Sequence, residues 1–512
     1  MTTASVGRKS IAWLTIGSVA LLNVGVAFAA FFKDIWLALY LGTSKEADAL
    51  TFAFFIPDAL GNNLFAAAIG VVSVPLFSKA ISDGAPDALG VAVAGALRST
   101  LLWAGAIAAI AAAAAPWIGR VAGIEVATLT RDLLWVMCPT FLLFPLLTLG
   151  TAGLQSTGRF LRAGAAPFLF NAMFLASVWA SDRIGADADV GAFLIASGIT
   201  AGVAVSAWFV APPLVGALPY WRRTSERPSV VRSALPYAAV LGSVQFVSFF
   251  ERSIAAALET GAVAALNYAY RLSQFPLWTL IAAVTVVILP ELAQDAERRD
   301  LERQRATLSR AMTAGLYCTL PTAALLFLLR EPTAALLFQR GAFDAHSLRL
   351  TTAVLEGYAL SIPGQALFVI GLRYFLARGK LRDALIVASA SAAVTIAMDA
   401  ALLPRYGIAG IGYGAAVGAS LQAVGMLWLL DRRARVLERM WRIRATKLLA
   451  ANAPAVAAVV YATGHPVVAK ALQGGWSRIV ALGALCIAYV AIFATVDRIL
   501  NLRRGEGNDD AR

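Results

Sequence analysis

Apolar runs long enough to cross a bilayer recur from residue 11 to residue 500, and the segments between them are mostly short. A hydrocarbon core takes about 20 residues of helix, and in lipid only helices or closed barrels satisfy the backbone. These runs have the length of helices, so the sequence predicts an all-α polytopic membrane protein. Hydropathy places about fourteen spans at 11–32, 47–78, 88–117, 132–155, 163–181, 189–213, 232–256, 264–291, 309–330, 349–376, 382–403, 408–430, 448–469 and 475–497. The 512 residues are 14% charged, against about 25% in soluble chains. No hydrophilic stretch is long enough for a soluble catalytic domain.

The net charge of +13 comes from short clusters between spans rather than one basic face, which argues against nucleic acid. Cys138, Cys318 and Cys486 lie inside apolar runs, too few and too scattered for a disulfide framework or a metal site. His346 and His465 sit apart in predicted loops. Arg8 and Lys9 precede an apolar stretch longer than a signal-peptide core and without an evident cleavage site before Lys33 and Asp34, so it reads as the first span.

Alternate connections carry Arg159 and Arg162, then Arg222, Arg223 and Arg227, then Arg298, Arg299, Arg303 and Arg305, then Arg378, Lys380 and Arg382, then six arginines from Arg432 to Arg444. The positive-inside rule puts these connections and both termini in the cytoplasm of a bacterial inner-membrane protein. The charged segment 292–308 reads as a cytoplasmic amphipathic linker, with a partner-binding helix as the other reading.

An internal repeat is more informative. The stretch Ala47 to Pro57 resembles Ala264 to Pro276, each followed by an apolar run that closes at Pro75 or Pro290. Gly158-Arg159-Phe160 matches Gly379-Lys380-Leu381 at nearly the same offset. Six spans separate the copies, so orientation is preserved and the repeats are parallel. The expected organisation is an N-terminal lobe over 1–228, a C-terminal lobe over 229–431, and a helix pair with its tail over 432–512. Prolines in spans 2 and 8 interrupt the backbone ladder, either to line a wet cavity or as packing kinks.

Ionisable groups inside spans need a partner or water. The candidates are Asp48, Asp58, Arg98, Glu251, Arg252, Arg271, Glu356, Arg373 and Asp399. Arg98 and Arg373 read as snorkelling residues. Arg271, in the proline-interrupted eighth span, suits bidentate binding of a phosphate. Glu251 and Asp399, with Thr395 one turn earlier, offer hard oxygen ligands for a monovalent cation or else form structural pairs.

With these residues in view, the chain resembles the MurJ/MviN lipid II flippases of the MOP exporter superfamily over nearly its whole length. The likeness is carried by Lys33-Asp34 before Glu46-Ala47-Asp48-Ala49, by Asn267-Tyr268-Ala269-Tyr270-Arg271-Leu272 with Phe275-Pro276, by Ile288-Leu289-Pro290, and most specifically by Leu337-Phe338-Gln339-Arg340-Gly341-Ala342-Phe343-Asp344. The resemblance implies two six-helix lobes, a cationic cavity, and a groove along spans 13 and 14 for a polyprenyl tail. It implies Lys33, Asp34, Asp48 and Arg271 as substrate-cavity positions, and Glu251, Thr395 and Asp399 as a sodium site. Ala27 and the pair Asn62-Asn63 stand where the family usually has arginines, and Ala67-Ala68 where it has Glu-Gly. Asn62 and Asn63 are therefore counted with the substrate-contacting residues, and a related undecaprenyl-diphosphate glycan is an alternative cargo.

The function so implied is to flip a lipid-linked glycan precursor of peptidoglycan, lipid II, to the outer leaflet by alternating access. The chain would work in the bilayer alongside cell-wall synthesis proteins. No Walker-type motif is present, so no nucleotide cofactor is expected and the drive falls to Na+, membrane potential or substrate consumption. Competing readings are a Wzx-like flippase for exopolysaccharide or O-antigen units and a MATE-type drug exporter. A membrane glycosyltransferase or polymerase would need catalytic acids in sizeable outer loops, and the loops here are short.

Overall fold

The computed structural model describes residues 22, 24–84, 87–223, 230–297, 301–377, 381–434 and 439–502. The N-terminal half of the first predicted span, both termini, and Arg227, Arg298, Arg299, Arg378, Lys380 and Arg435 lie outside them, as do the side chains of Ile288, Leu289 and Pro290. The described residues are helical with no strands. The principal helices are α1 (Val24–Leu41), α2 (Lys45–Ser82), α3 (Ala88–Val121), α4 (Ala127–Ser156), α5 (Phe160–Arg183) and α6 (Ala188–Phe209). There follow α7 (Val230–Ala256), α8 (Ala262–Glu297), α9 (Leu301–Leu328), the short α10 (Arg330–Phe338), α11 (Ala345–Ala377) and α12 (Leu381–Tyr406). The chain ends with α13 (Ala409–Ala434), α14 (Arg439–Gly464), the short α15 (Pro466–Gln473) and α16 (Gly475–Leu502).

Among the described residues twelve helices are long and apolar enough to cross a membrane, or thirteen with α7, which bends by 60° between Ala239 and Val244. The expected fourteen is not reached in that count. Helix α8 covers the eighth predicted span, but most side chains of its second half are outside the described set.

One expectation needs correction. Lys33 and Asp34, read as the flank that closes the first span, lie inside α1, which continues to Leu41. The Lys33 Nζ sits 2.9 Å from Asp34 Oδ1, so neighbouring opposite charges neutralise each other within the helix. Over the segment 292–308, expected to be helix-compatible, α8 runs to Glu297 and α9 begins at Leu301. Gln304, Thr307 and Leu308 are buried while Leu301, Glu302, Arg303 and Ala306 are exposed, so the start of α9 is amphipathic.

The chain forms two compact units, Met1–Ala264 and Ala265–Arg512. In the first, Val230, Val231 and Ala234 at the start of α7 share a core with Ile69 and Phe77 of α2, Val93 of α3 and Leu149 of α4. In the second, Leu448 and Val459 of α14 and Tyr489 and Phe493 of α16 bury against Met312 of α9, Phe375 of α11 and Leu430 of α13. The C-terminal helix pair is thus integral to that unit's core. Arg444 pairs with the buried Asp497 at 2.9 Å, tying α14 to α16 near the basic connections.

At Pro57 the missing N–H interrupts the α-helical ladder of α2, and the segment Pro57–Ala66 adopts a π-helix. Its wider turn is closed where the Ala67 N–H donates to the Asn62 carbonyl. The helix resumes after Ala66, so the proline is accommodated by widening the coil rather than ending the span.

Candidate substrate and cation sites

Helix α8 carries Arg271, and three contacts fix where that helix starts and how it is turned. Asp48, 6% exposed, sits at the start of α2. Its Oδ2 accepts from the Gly261 N–H at 2.6 Å and its Oδ1 from the Ala264 N–H at 2.8 Å. Gly261 immediately precedes α8 and Ala264 lies in its first turn, whose amide the helix cannot satisfy itself, so Asp48 caps α8. Gly261 has φ +91°, a left-handed conformation that suits glycine. The sequence reading placed Asp48 among substrate contacts; in this structure its carboxylate is engaged with the backbone.

Farther along, Tyr268 is fully buried against Phe338 and Phe343, with ring centroids 5.5 and 5.8 Å away. Phe338 ends α10, and Phe343 belongs to the following loop, where Gly341 adopts φ +60°. The Gly-Ala-Phe-Asp stretch therefore turns the chain so that Phe343 locks onto α8. Asp344 then accepts from the Ser347 N–H at 2.8 Å and its hydroxyl at 2.9 Å, capping α11. These bonds favour the ionised carboxylate and hold it below the usual range.

Beyond Tyr268, Tyr270 meets Tyr358 edge to face at 6.3 Å. Gln274 donates to Gln365 Oε1 at 3.0 Å, and the Gln365 amide donates to Ser361 Oγ at 2.8 Å. Gln274 and Ser361 are buried, so α8 and α11 share a polar seam. Arg271 lies beside this seam and is half-buried. A guanidinium in that setting is suited to a phosphate through paired hydrogen bonds.

In the first unit Lys33 and Asp34 are 3% and 2% exposed, and the Lys33 ammonium also stands 4.6 Å from the Phe174 ring centre. In this conformation the cation is compensated on both counts. The π-helical turn brings Asn62 and Asn63 together on Asp58, their side-chain amides donating to its two oxygens at 3.0 and 3.1 Å. Asn63 is exposed. Glu251 and Arg252 of α7 are both buried, and the Arg252 guanidinium lies over the Phe55 ring at 4.2 Å.

Asp399 is fully buried and Thr395 is 7% exposed, one turn apart on α12. The Thr395 hydroxyl donates to the Ser391 carbonyl at 2.9 Å and keeps lone pairs for accepting. Opposite them on α13 stand Gly414 and Gly418, where an added Cβ would collide with Asp399 Oδ1 and Thr395 Oγ1 respectively. Each polar side chain thus occupies the room left by a glycine. Glu251 belongs to the first unit, Thr395 and Asp399 to the second. Carboxylate and hydroxyl oxygens are the hard donors a sodium ion takes, so the α12 pair fits part of such a site.

The sequence reading singled out the motif that holds Phe338 and Phe343 but not their packing on Tyr268, and it missed the Gln274–Gln365 bond and Gly414 with Gly418. Of the missed partners, the glycines had a readable signal, the small-residue spacing of Gly414-Ala415-Ala416-Val417-Gly418.

The model of the MurJ family, described as lipid II flippase MurJ, matches residues 37–495. A probable lipid II flippase MurJ of Rhizobium tropici is 29% identical over 470 residues, covering 88% of this chain and 86% of that protein. Among solved structures, lipid II flippase MurJ in an inward closed conformation aligns with a TM-score of 0.77 at 17% identity, over 93% of this chain and 98% of the other. An inward-facing MATE-family multidrug resistance transporter of the MOP superfamily aligns with a TM-score of 0.67 at 18% identity, over 80% and 94%. These structural likenesses speak for the fold alone. With the family model matching from residue 37 to residue 495, the chain belongs to the MurJ lipid II flippase family.

Proposed function

We propose that this protein moves lipid II from the inner to the outer leaflet of the inner membrane by alternating access, with both termini in the cytoplasm. The reading is carried by the family match over residues 37–495. It is supported by Arg271, a half-buried guanidinium on a helix whose start and rotation are fixed by Asp48, Phe338 and Phe343. In this reading Arg271 holds the diphosphate. Lys33 exchanges Asp34 for a phosphate oxygen when the headgroup arrives, and Asn62 and Asn63 present amides to the sugars. The polyprenyl tail stays in lipid, which avoids a transfer cost of about 0.8 kcal/mol per CH₂.

Coupling to Na+ or to membrane potential belongs to the same proposal. Thr395 and Asp399 would supply oxygen ligands, and Glu251 is the further acidic position that the resemblance assigns. Cell-wall synthesis proteins are the expected partners.

The test is depletion and complementation in the native host. Depletion should cause lysis, the parent gene should rescue, and Arg271→Ala should not. Full rescue by Arg271→Ala removes that residue from the mechanism. A second reading is favoured by Asn62 and Asn63, which are neutral and bound to Asp58: a different polyprenyl-diphosphate glycan. Loss of a surface polymer without lysis would support it.

A further inference from the structure

At the end of the second unit remote from its basic connections, α10 and the loop after it face the start of α16 across a cavity of about 470 Å³. Arg340, Arg478, Gln339 and Trp476 line it over an aliphatic floor of Leu336 and Ile479, and the lining contains no carboxylate. Two like charges that converge on one cavity raise its positive potential, which an anion relieves.

Arg478 is oriented in advance. Its Nε donates to the Leu472 carbonyl at 2.8 Å and one terminal nitrogen donates to the Gln473 carbonyl at 3.1 Å, at the end of α15. The other terminal nitrogen makes no protein hydrogen bond among the described residues. Arg340 makes one long bond, to the Leu336 carbonyl at 3.4 Å. Most of the donors of both guanidiniums remain for a ligand.

The depth of the cavity identifies the source of that ligand. Trp476 is 83% exposed, α15 buries none of its residues, and its Val467 is open as well. Exposed indole and aliphatic groups beside cations mark the headgroup level of a bilayer rather than open water. We infer that Arg340 and Arg478, with Gln339 and Trp476, form a second phosphate-binding site that takes the diphosphate of the polyprenyl-linked product once it has crossed. The inference rests on the proposed function for its cargo, and two guanidiniums match two phosphates better than a phospholipid's single one.

The experiment uses the full-length protein in phosphatidylcholine nanodiscs, with p-benzoylphenylalanine in place of Ile479 and radiolabelled undecaprenyl diphosphate as probe. Ultraviolet light should capture the probe. Arg340→Gln with Arg478→Gln should lower capture at least fivefold, and a tenfold excess of phosphatidylglycerol should leave most of it. Arg478→Gln also removes a cap from α15, so Arg340→Gln alone must lower capture at least twofold, with Arg340→Lys restoring part of it. Unchanged capture in these variants, or displacement by phosphatidylglycerol, overturns the inference. Lipid II flipping by the parent is measured alongside. Capture without flipping refutes the transport reading and leaves the site standing; flipping without capture refutes the site.

Discussion

Gly414 of α13 lies so close to Asp399 of α12 that a methyl group on the glycine would overlap the carboxylate. Gly414→Ala should therefore destabilise the protein by about 1–3 kcal/mol, the usual range for overpacking. The check is a double-mutant cycle of apparent Tm in detergent. Gly414→Ala should cost much less on an Asp399→Ala background, because the atom it strikes is gone. Equal costs on both backgrounds would place the collision elsewhere.

Asp48 offers a second test, since its carboxylate caps the first turn of the helix that carries Arg271. Asp48→Ala should cost about 0.5–2 kcal/mol, as for other cap losses, and should reduce flipping along with it. Asp48→Asn keeps one oxygen acceptor and should lie between alanine and parent in apparent Tm. Were alanine and asparagine both indistinguishable from the parent, capping by this residue would contribute nothing measurable.

Phe343 fills the space between Tyr268 and Phe338 and is 1% exposed. Truncation to alanine leaves a cavity and should cost about 3–5 kcal/mol. The expected readout is a sharp fall in monodisperse protein on size exclusion, with Phe343→Leu recovering much of the yield.

The bonds from Ser347 hold the Asp344 carboxyl below its ordinary value of 3.8 in the folded protein. A depressed folded value means the stabilisation is present above the unfolded value and is lost as the pH falls through the folded one. The difference in apparent Tm between parent and Asp344→Ala should thus be constant from neutral pH down to about 5 and shrink below the ordinary value. A difference that stays constant under acid would rule out the ionised carboxylate as the cap.

These positions show where the sequence was legible and where it was not. Hydropathy located the spans because burial in lipid depends on length and composition alone, and the charge runs suggested their direction. The motif around Phe343 stood out as a string, yet its packing on Tyr268 depends on residues 70 or more positions apart. Lys33 and Asp34 were misread as a flank because a hydropathy window adds two penalties where the structure holds one neutral pair. Asp48 looked like a charge in need of a ligand; its partners are backbone amides, which no side-chain pattern reveals. The polar pair on α12 was visible, but the cleft that admits it is defined by atoms that Gly414 and Gly418 lack.

The widened coil at Pro57–Ala66 has a bearing on sequence length as well as chemistry. A π segment holds more residues per turn than the helix around it, so it works as an inserted spacer that sets the phase of everything after it. Beyond it Ile69 and Phe77 face inward, into the core of the first unit. Removing a single residue from this stretch would let a wide turn close as an ordinary α turn, whereas the same deletion after Ala66 would rotate the rest of the span by about 100°. The place where Asp58, Asn62 and Asn63 gather is accordingly the place where the register of this helix has slack, so a deletion there would cost the polar cluster rather than the packing beyond it.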